Sequence, residues 1–131
     1  MTVHRLQRLT MRGLCAMHKE LIARYGGGST QVDMVKLELA LVRAESVEPR
    51  LLWKRRAHLA AAYSWSLLKS RPFADGNQPM ALAALAVFLE MNDLTWKCGE
   101  AEETAMILRA AAGEIKEPEW NEWVVGKVGK A

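Results

Sequence analysis

Arg71-Pro72-Phe73-Ala74-Asp75-Gly76-Asn77-Gln78-Pro79 interrupts two apolar helical patterns near the middle of the chain. Before it, Leu52, Leu59, Tyr63 and Leu67 mark one face of a long helix, and alanines 57 and 60–62 permit close packing. Pro49 is placed to open that helix, and Pro72 forbids easy continuation past about Ser70. After it, Met80, Leu82, Leu85, Val87, Phe88 and Leu89 fill a helix from Pro79 to Asn92 that has almost no polar face before Glu90. A helix apolar on nearly every side belongs at the centre of a small domain. The break itself carries chemistry. A helix N-terminus offers unpaired backbone N–H groups and positive dipole charge. Gly76 permits a turn that converges amides into an anion nest. Asn77 can cap the helix or orient the loop. Asp75 is placed to hold a magnesium ion that bridges phosphate oxygens, and Arg71 adds fixed positive charge. The plainer account is an Asx-type turn before a Pro-started helix, selected for geometry alone.

Outward from this break the pattern stays helical. Leu14, Met17 and Leu21 define a helix from about Thr10, a suitable N-cap, to Arg24. Gly26-Gly27-Gly28 stops it. A glycine run can cradle phosphate, but this one follows a helix rather than a strand and lacks a closing Gly-Lys-Ser/Thr, which argues against a phosphate loop. Leu37, Ala40, Leu41 and Ala44 predict a short helix over 33–43. Past the apolar helix, Asn92-Asp93 makes a turn and Leu94-Thr95-Trp96-Lys97 a short extended piece. A helix over 99–112 ends at Gly113, and Pro118 starts a last short one. In that last helix Trp120, Trp123 and Val124 share a face that docks on the core. From Gly126 the tail is small and charged and is expected to fray. The expectation is one all-α domain over residues 1–131, a compact bundle of about six helices around a central apolar helix.

Composition fits that outcome. Half of the 131 residues are hydrophobic and a quarter charged, as in compact soluble proteins. Cys15 and Cys98 are far apart in sequence and match neither a disulfide framework nor zinc-ligand spacing. They read as small buried hydrophobes of a cytoplasmic protein. The basic N-terminus lacks a signal-peptide core, and the apolar stretch over 80–89 is about half of what a membrane span needs. The net charge of +3 is uneven, at +8 over residues 1–72 and −5 over 73–131. The basic portion suggests an anionic partner. Nucleic acid is not expected, because Lys54-Arg55-Arg56 fans out by about 100° per residue instead of forming one stripe.

Phe73-Ala74-Asp75-Gly76-Asn77, followed by an Ala/Leu-rich helix, resembles the Fic/Doc family motif His-x-Phe-x-(Asp/Asn)-(Gly/Ala)-Asn-(Lys/Gly)-Arg. The likeness extends to the Doc, or death-on-curing, branch. Leu21-Ile22-Ala23-Arg24-Tyr25-Gly26-Gly27 resembles the end of that branch's first helix, and Leu37-Glu38-Leu39-Ala40-Leu41-Val42-Arg43 its Leu-Glu-Ser-Ala-Leu-Ala-Arg segment. It runs in order over about residues 9–125. The resemblance implies a compact helical fold whose motif loop and following helix hold nucleotide phosphates. It implies ATP and magnesium as cofactors and transfer of AMP or phosphate to a protein hydroxyl, which for Doc lies on a translation factor, elongation factor Tu. It also implies a toxin–antitoxin partnership, with an antitoxin-like peptide folded onto the toxin.

Carried over by position, the motif is degenerate. The family's general base, a histidine, is Arg71 here, and a guanidinium that stays protonated cannot accept the target's proton. Phe73 matches the buried anchor, Asp75 the acidic metal or orienting position, and Gly76 and Asn77 the anion-hole turn. Gln78 stands for the family's lysine, and Pro79 for its phosphate-clamping arginine. Losing a general base alone costs a factor of about 10²–10⁴. His58 precedes Arg71 by 13 residues on one helix, roughly 20 Å at the usual rise. His4 and His18 have no sequence tie to the loop, and all three read as surface or structural histidines. Two readings follow. The first is a catalytically impaired Doc-like protein that keeps an anion, nucleotide or partner-binding role, with Arg71 on phosphate or locked onto Asp75. The alternative is a divergent active phosphotransferase or AMP-transferase, since phosphoryl transfer depends mostly on positioning and charge.

Overall fold

The computed structural model describes residues 5–46 and 52–130. Pro49, the expected opening of the long helix, lies outside the described residues. Within them the chain forms six α-helices and a two-stranded antiparallel sheet. The order is α1 (Met11–Arg24), α2 (Met34–Glu45), α3 (Leu52–Ser70), α4 (Asn77–Met91), β1 (Leu94–Trp96), α5 (Glu100–Ala111), α6 (Glu117–Lys127) and β2 (Val128–Lys130).

Local chemistry accounts for most boundaries. The Thr10 hydroxyl accepts from the Gly13 N–H at 3.0 Å, and the Asp33 carboxylate from the Lys36 N–H at 3.1 Å. Each satisfies an N-terminal donor that the helix cannot pair internally. At the start of α6, Glu119 Oε1 accepts from the Lys116 N–H at 3.3 Å, and Pro118 sits in the first turn, where its missing N–H has no consequence.

Two helices share the centre. α3 packs against α2, α4 and α6, and α4 against α1, α3, α5 and β1. Ala57, Ala60 and Ala61 on α3 are fully buried and let the neighbouring helices approach closely. Phe88, Leu85, Leu89, Met80 and Tyr63 fill the space between α3 and α4, with the Tyr63 and Phe88 rings 5.2 Å apart. The far side of α4 is only half-covered at Leu82 and Val87, and it becomes one wall of a groove described below. Trp120 anchors α6 as its spacing predicts. It is wholly buried, and its Nε1–H donates to the Ser64 hydroxyl at 3.0 Å.

The tail departs from expectation. α6 continues through Gly126 to Lys127, and Val128–Lys130 then pairs with β1 in the register Leu94↔Lys130, Thr95↔Gly129 and Trp96↔Val128. The extended Leu94–Trp96 segment has backbone donors and acceptors that need a partner, and the tail supplies one. Val128, only 7% exposed, closes the apolar end of that pair.

Candidate functional site

The site grows from the end of α3. The Arg71 N–H reaches back to the Leu67 carbonyl at 3.2 Å, and Arg71 takes φ 50°, in the left-handed region. This terminates the helix, at a position where Asn, Asp and His are the side chains most often tolerated. The chain then runs antiparallel to residues 31–33. The Asp33 N–H donates to the Pro72 carbonyl at 2.7 Å and the Ala74 N–H to the Gln31 carbonyl at 3.0 Å, so that Val32 faces Phe73.

In that pairing the N–H and C=O of Phe73 itself point away from the neighbouring segment. Asn77 takes both. Its Oδ1 accepts from the Phe73 N–H at 3.1 Å and its Nδ2–H donates to the Phe73 carbonyl at 2.7 Å. Asn77 is 7% exposed and Phe73 3%. The asparagine therefore closes the loop, which is the orienting role its position suggests. Gly76, at φ 81°, makes the turn into α4. A Cβ there would lie 3.3 Å from Leu21 Cδ2 and 3.6 Å from Ile22 Cδ1, so α1 walls off its inner side.

Asp75 is held twice. Its Oδ2 accepts from the Ser29 N–H at 2.6 Å, and its backbone carbonyl accepts from His18 Nε2–H at 2.7 Å. Gly28, at φ 118°, lies so close that a Cβ would sit 3.3 Å from Asp75 Oδ2. Of the glycine run only Gly28 approaches this carboxylate, and the donor that holds it is the Ser29 N–H that follows the run. The Arg71–Asp75 lock is absent. Asp75 is exposed and turned toward the glycine run, and Arg71 is exposed at the mouth of the loop.

His18 is the residue that sequence reasoning failed to place. It is wholly buried and stacks on Phe73 with ring centroids 4.4 Å apart. A signal was available: Leu14, His18 and Ile22 form the buried stripe of α1, and a histidine on such a stripe needs a polar partner. His58 is elsewhere, with Nδ1 2.9 Å from Asn121 Oδ1. His4 lies outside the described residues. The basic run is dispersed as its spacing predicts, with Arg55 exposed and Arg56 donating to the Asn92 carbonyl at 3.3 Å.

Arg71, Asp75, Gly76, Asn77, Gln78 and Pro79 line one cavity of about 220 Å³. At the N-terminus of α4 the Asn77 and Gln78 N–H groups have no intrahelical acceptor, and Pro79 has no N–H to offer. The Arg71 guanidinium shares that cavity. These groups suit a phosphate. Asp75 Oδ1 has no protein partner among the described residues, which suits one contact to a hydrated magnesium ion. No cluster of three metal-ligating side chains occurs among the described residues. The volume holds a phosphate but not a nucleotide, whose remainder would extend into an adjoining cavity. One, of about 430 Å³, begins at Pro79 and runs between α1 and α4 past Leu21, Tyr25, Leu82 and Val87. Another, of about 380 Å³, begins at Arg71 and includes Lys36 and Phe73.

Comparison with known families agrees with this geometry. The model of the family described as Fic/DOC matches residues 8–89, which is more than half of the chain and contains α1–α3, the whole loop and all of α4 but its last two residues. The chain belongs to the Fic/DOC family. A comparison with curated proteins finds no match. No helix among the described residues is long and apolar enough to cross a membrane.

Proposed function

We propose that this chain is a cytoplasmic, Doc-like member of the family that binds a phosphate-bearing ligand at its motif loop and does not transfer a group from it. One observation carries this reading. The loop is fully built, through the Asn77 clamp and the doubly held Asp75, yet the residue at the position of the family's base is Arg71. The scaffold for phosphate is retained where the proton acceptor is missing. Asn77 and Gln78 N–H groups and the Arg71 guanidinium would bind phosphate oxygens. Asp75 would contact magnesium, whose contribution when bound is to neutralise phosphate charge.

The groove between α1 and α4 supports the second half of the proposal, an antitoxin-like peptide as partner. It is lined by Met17, Leu21, Leu82 and Val87, with Glu20 and Arg24 beside them. Tyr25 at its edge is 75% exposed. That mixture suits the apolar face of a short helix.

Magnesium-ATP titration by calorimetry tests the binding. Saturable binding at millimolar nucleotide or below, without label transfer from ATP to translation factors, is expected. No binding at millimolar nucleotide would overturn the reading. Transfer by the unaltered protein that disappears in Asp75→Ala and Asn77→Ala would replace it with the active-transferase reading. Restoring Arg71→His, Gln78→Lys and Pro79→Arg together is expected to produce ATP-dependent transfer.

A further inference from the structure

We infer that His18 is the positioning residue of the phosphate cradle, setting the direction of the Asp75–Gly76 peptide so that the Gly76 N–H faces the cavity. This rests on the phosphate-binding reading above. A carbonyl oxygen only accepts, so the 2.7 Å contact fixes the proton on His18 Nε2. In a trans peptide the C=O and the following N–H point in opposite directions. Drawing the Asp75 carbonyl inward onto His18 therefore turns the Gly76 N–H outward. The inner side of Gly76 is closed by Leu21 and Ile22 of α1, which leaves the cavity that Gly76 lines as the open side. The Gly76 N–H then joins those of Asn77 and Gln78 around one point, as in an anion nest.

Packing alone does not explain a histidine here. Its Nδ1 is buried and has no partner among the described residues, and an orphaned buried polar atom is destabilising. A leucine or phenylalanine would fill the space against Phe73 without that penalty. What histidine adds is one N–H, aimed at the carbonyl that orients the loop.

The test compares wild type, His18→Phe and His18→Gln, because a glutamine Nε2–H occupies nearly the same place as that of histidine. Inorganic phosphate is titrated while the amide resonances of Gly76, Asn77 and Gln78 are followed by NMR. Losing one charge-assisted hydrogen bond from the cradle is expected to weaken phosphate about ten- to hundredfold in His18→Phe. His18→Gln is expected to return within about threefold of wild type. Equal affinities in all three, or equal loss in both variants, would overturn the inference. If wild type itself shows no response to phosphate, the binding reading fails, and the inference is decided by the ligand-free spectra. There the Gly76 and Asn77 amides should move in His18→Phe and return in His18→Gln, and unmoved amides would overturn it. If His18→Phe does not fold, His18→Leu, smaller and equally without an N–H, takes its place in the same comparison.

Discussion

Replacing Asn77 with alanine should unfold the protein far more readily than its modest size change suggests. The side chain makes two hydrogen bonds, at 3.1 and 2.7 Å, to the two backbone groups of Phe73. Neither group has another partner among the described residues, because the pairing with residues 31–33 uses Pro72 and Ala74 instead. Phe73 is 3% exposed, so water cannot readily replace the lost contacts. A buried donor or acceptor left unsatisfied costs about 1–3 kcal/mol. Two of them, with partial relaxation of the loop, give about 2–4 kcal/mol, a large share of the roughly 5–15 kcal/mol that stabilises a domain. Urea denaturation followed by far-UV circular dichroism measures this, and the melting temperature should fall by about 10 °C. Asn77→Asp sharpens the test. Its carboxylate keeps the acceptor for the Phe73 N–H but sets a second oxygen against the Phe73 carbonyl, where only a protonated carboxyl can donate. Burial and that contact raise the folded-state pKa above the unfolded value of about 3.9. The stabilising contact is then present at low pH and lost as pH rises through the raised folded value. Asn77→Asp should recover toward wild type as pH falls toward about 4, while the deficit of Asn77→Ala should not change with this group. A loss below about 0.5 kcal/mol in Asn77→Ala, or an Asn77→Asp deficit independent of pH, would refute the clamp.

Gly76→Ala places a Cβ 3.3 Å from Leu21 Cδ2 at φ 81°, and should cost about 1–3 kcal/mol by denaturant midpoint. Val128→Asp buries a carboxylate against the β1 pairing and should cost about 2–4 kcal/mol in a thermal melt, with a change in tryptophan fluorescence from Trp96 and Trp123. The Glu102 carboxyl accepts from Trp123 Nε1–H at 2.7 Å and Lys127 Nζ at 3.0 Å, which hold it below the ordinary carboxylate range. Its contribution to stability is therefore present above the unfolded value and lost as pH falls through the lower folded one. A carbon-13 titration should find its midpoint below that of a free glutamate, and Trp123→Phe should move it upward.

Short-range periodicity was enough to read most of the helices. Leu37, Ala40, Leu41 and Ala44 are all buried in α2, as a repeat of three and four requires. The motif loop was also legible, through the resemblance of Phe73–Asn77 to the Fic/Doc pattern, and residue identity says that the Arg71 guanidinium before it does not accept a proton. The tail was not legible. Nothing in Val128-Gly129-Lys130 signals a strand until Leu94–Trp96 lies beside it, since a strand's hydrogen bonds belong to its partner.

The same division runs through the site. The sequence by itself determined the helical fold and the place of the loop between α3 and α4, since these depend on side-chain type and local spacing. Only the tertiary structure decided that Asp75 is tied to Ser29 instead of Arg71, and that His18 lies beneath the loop. Those contacts join residues 46 and 57 positions apart. Their geometry comes from the packing of α1 against α4, which no local pattern encodes.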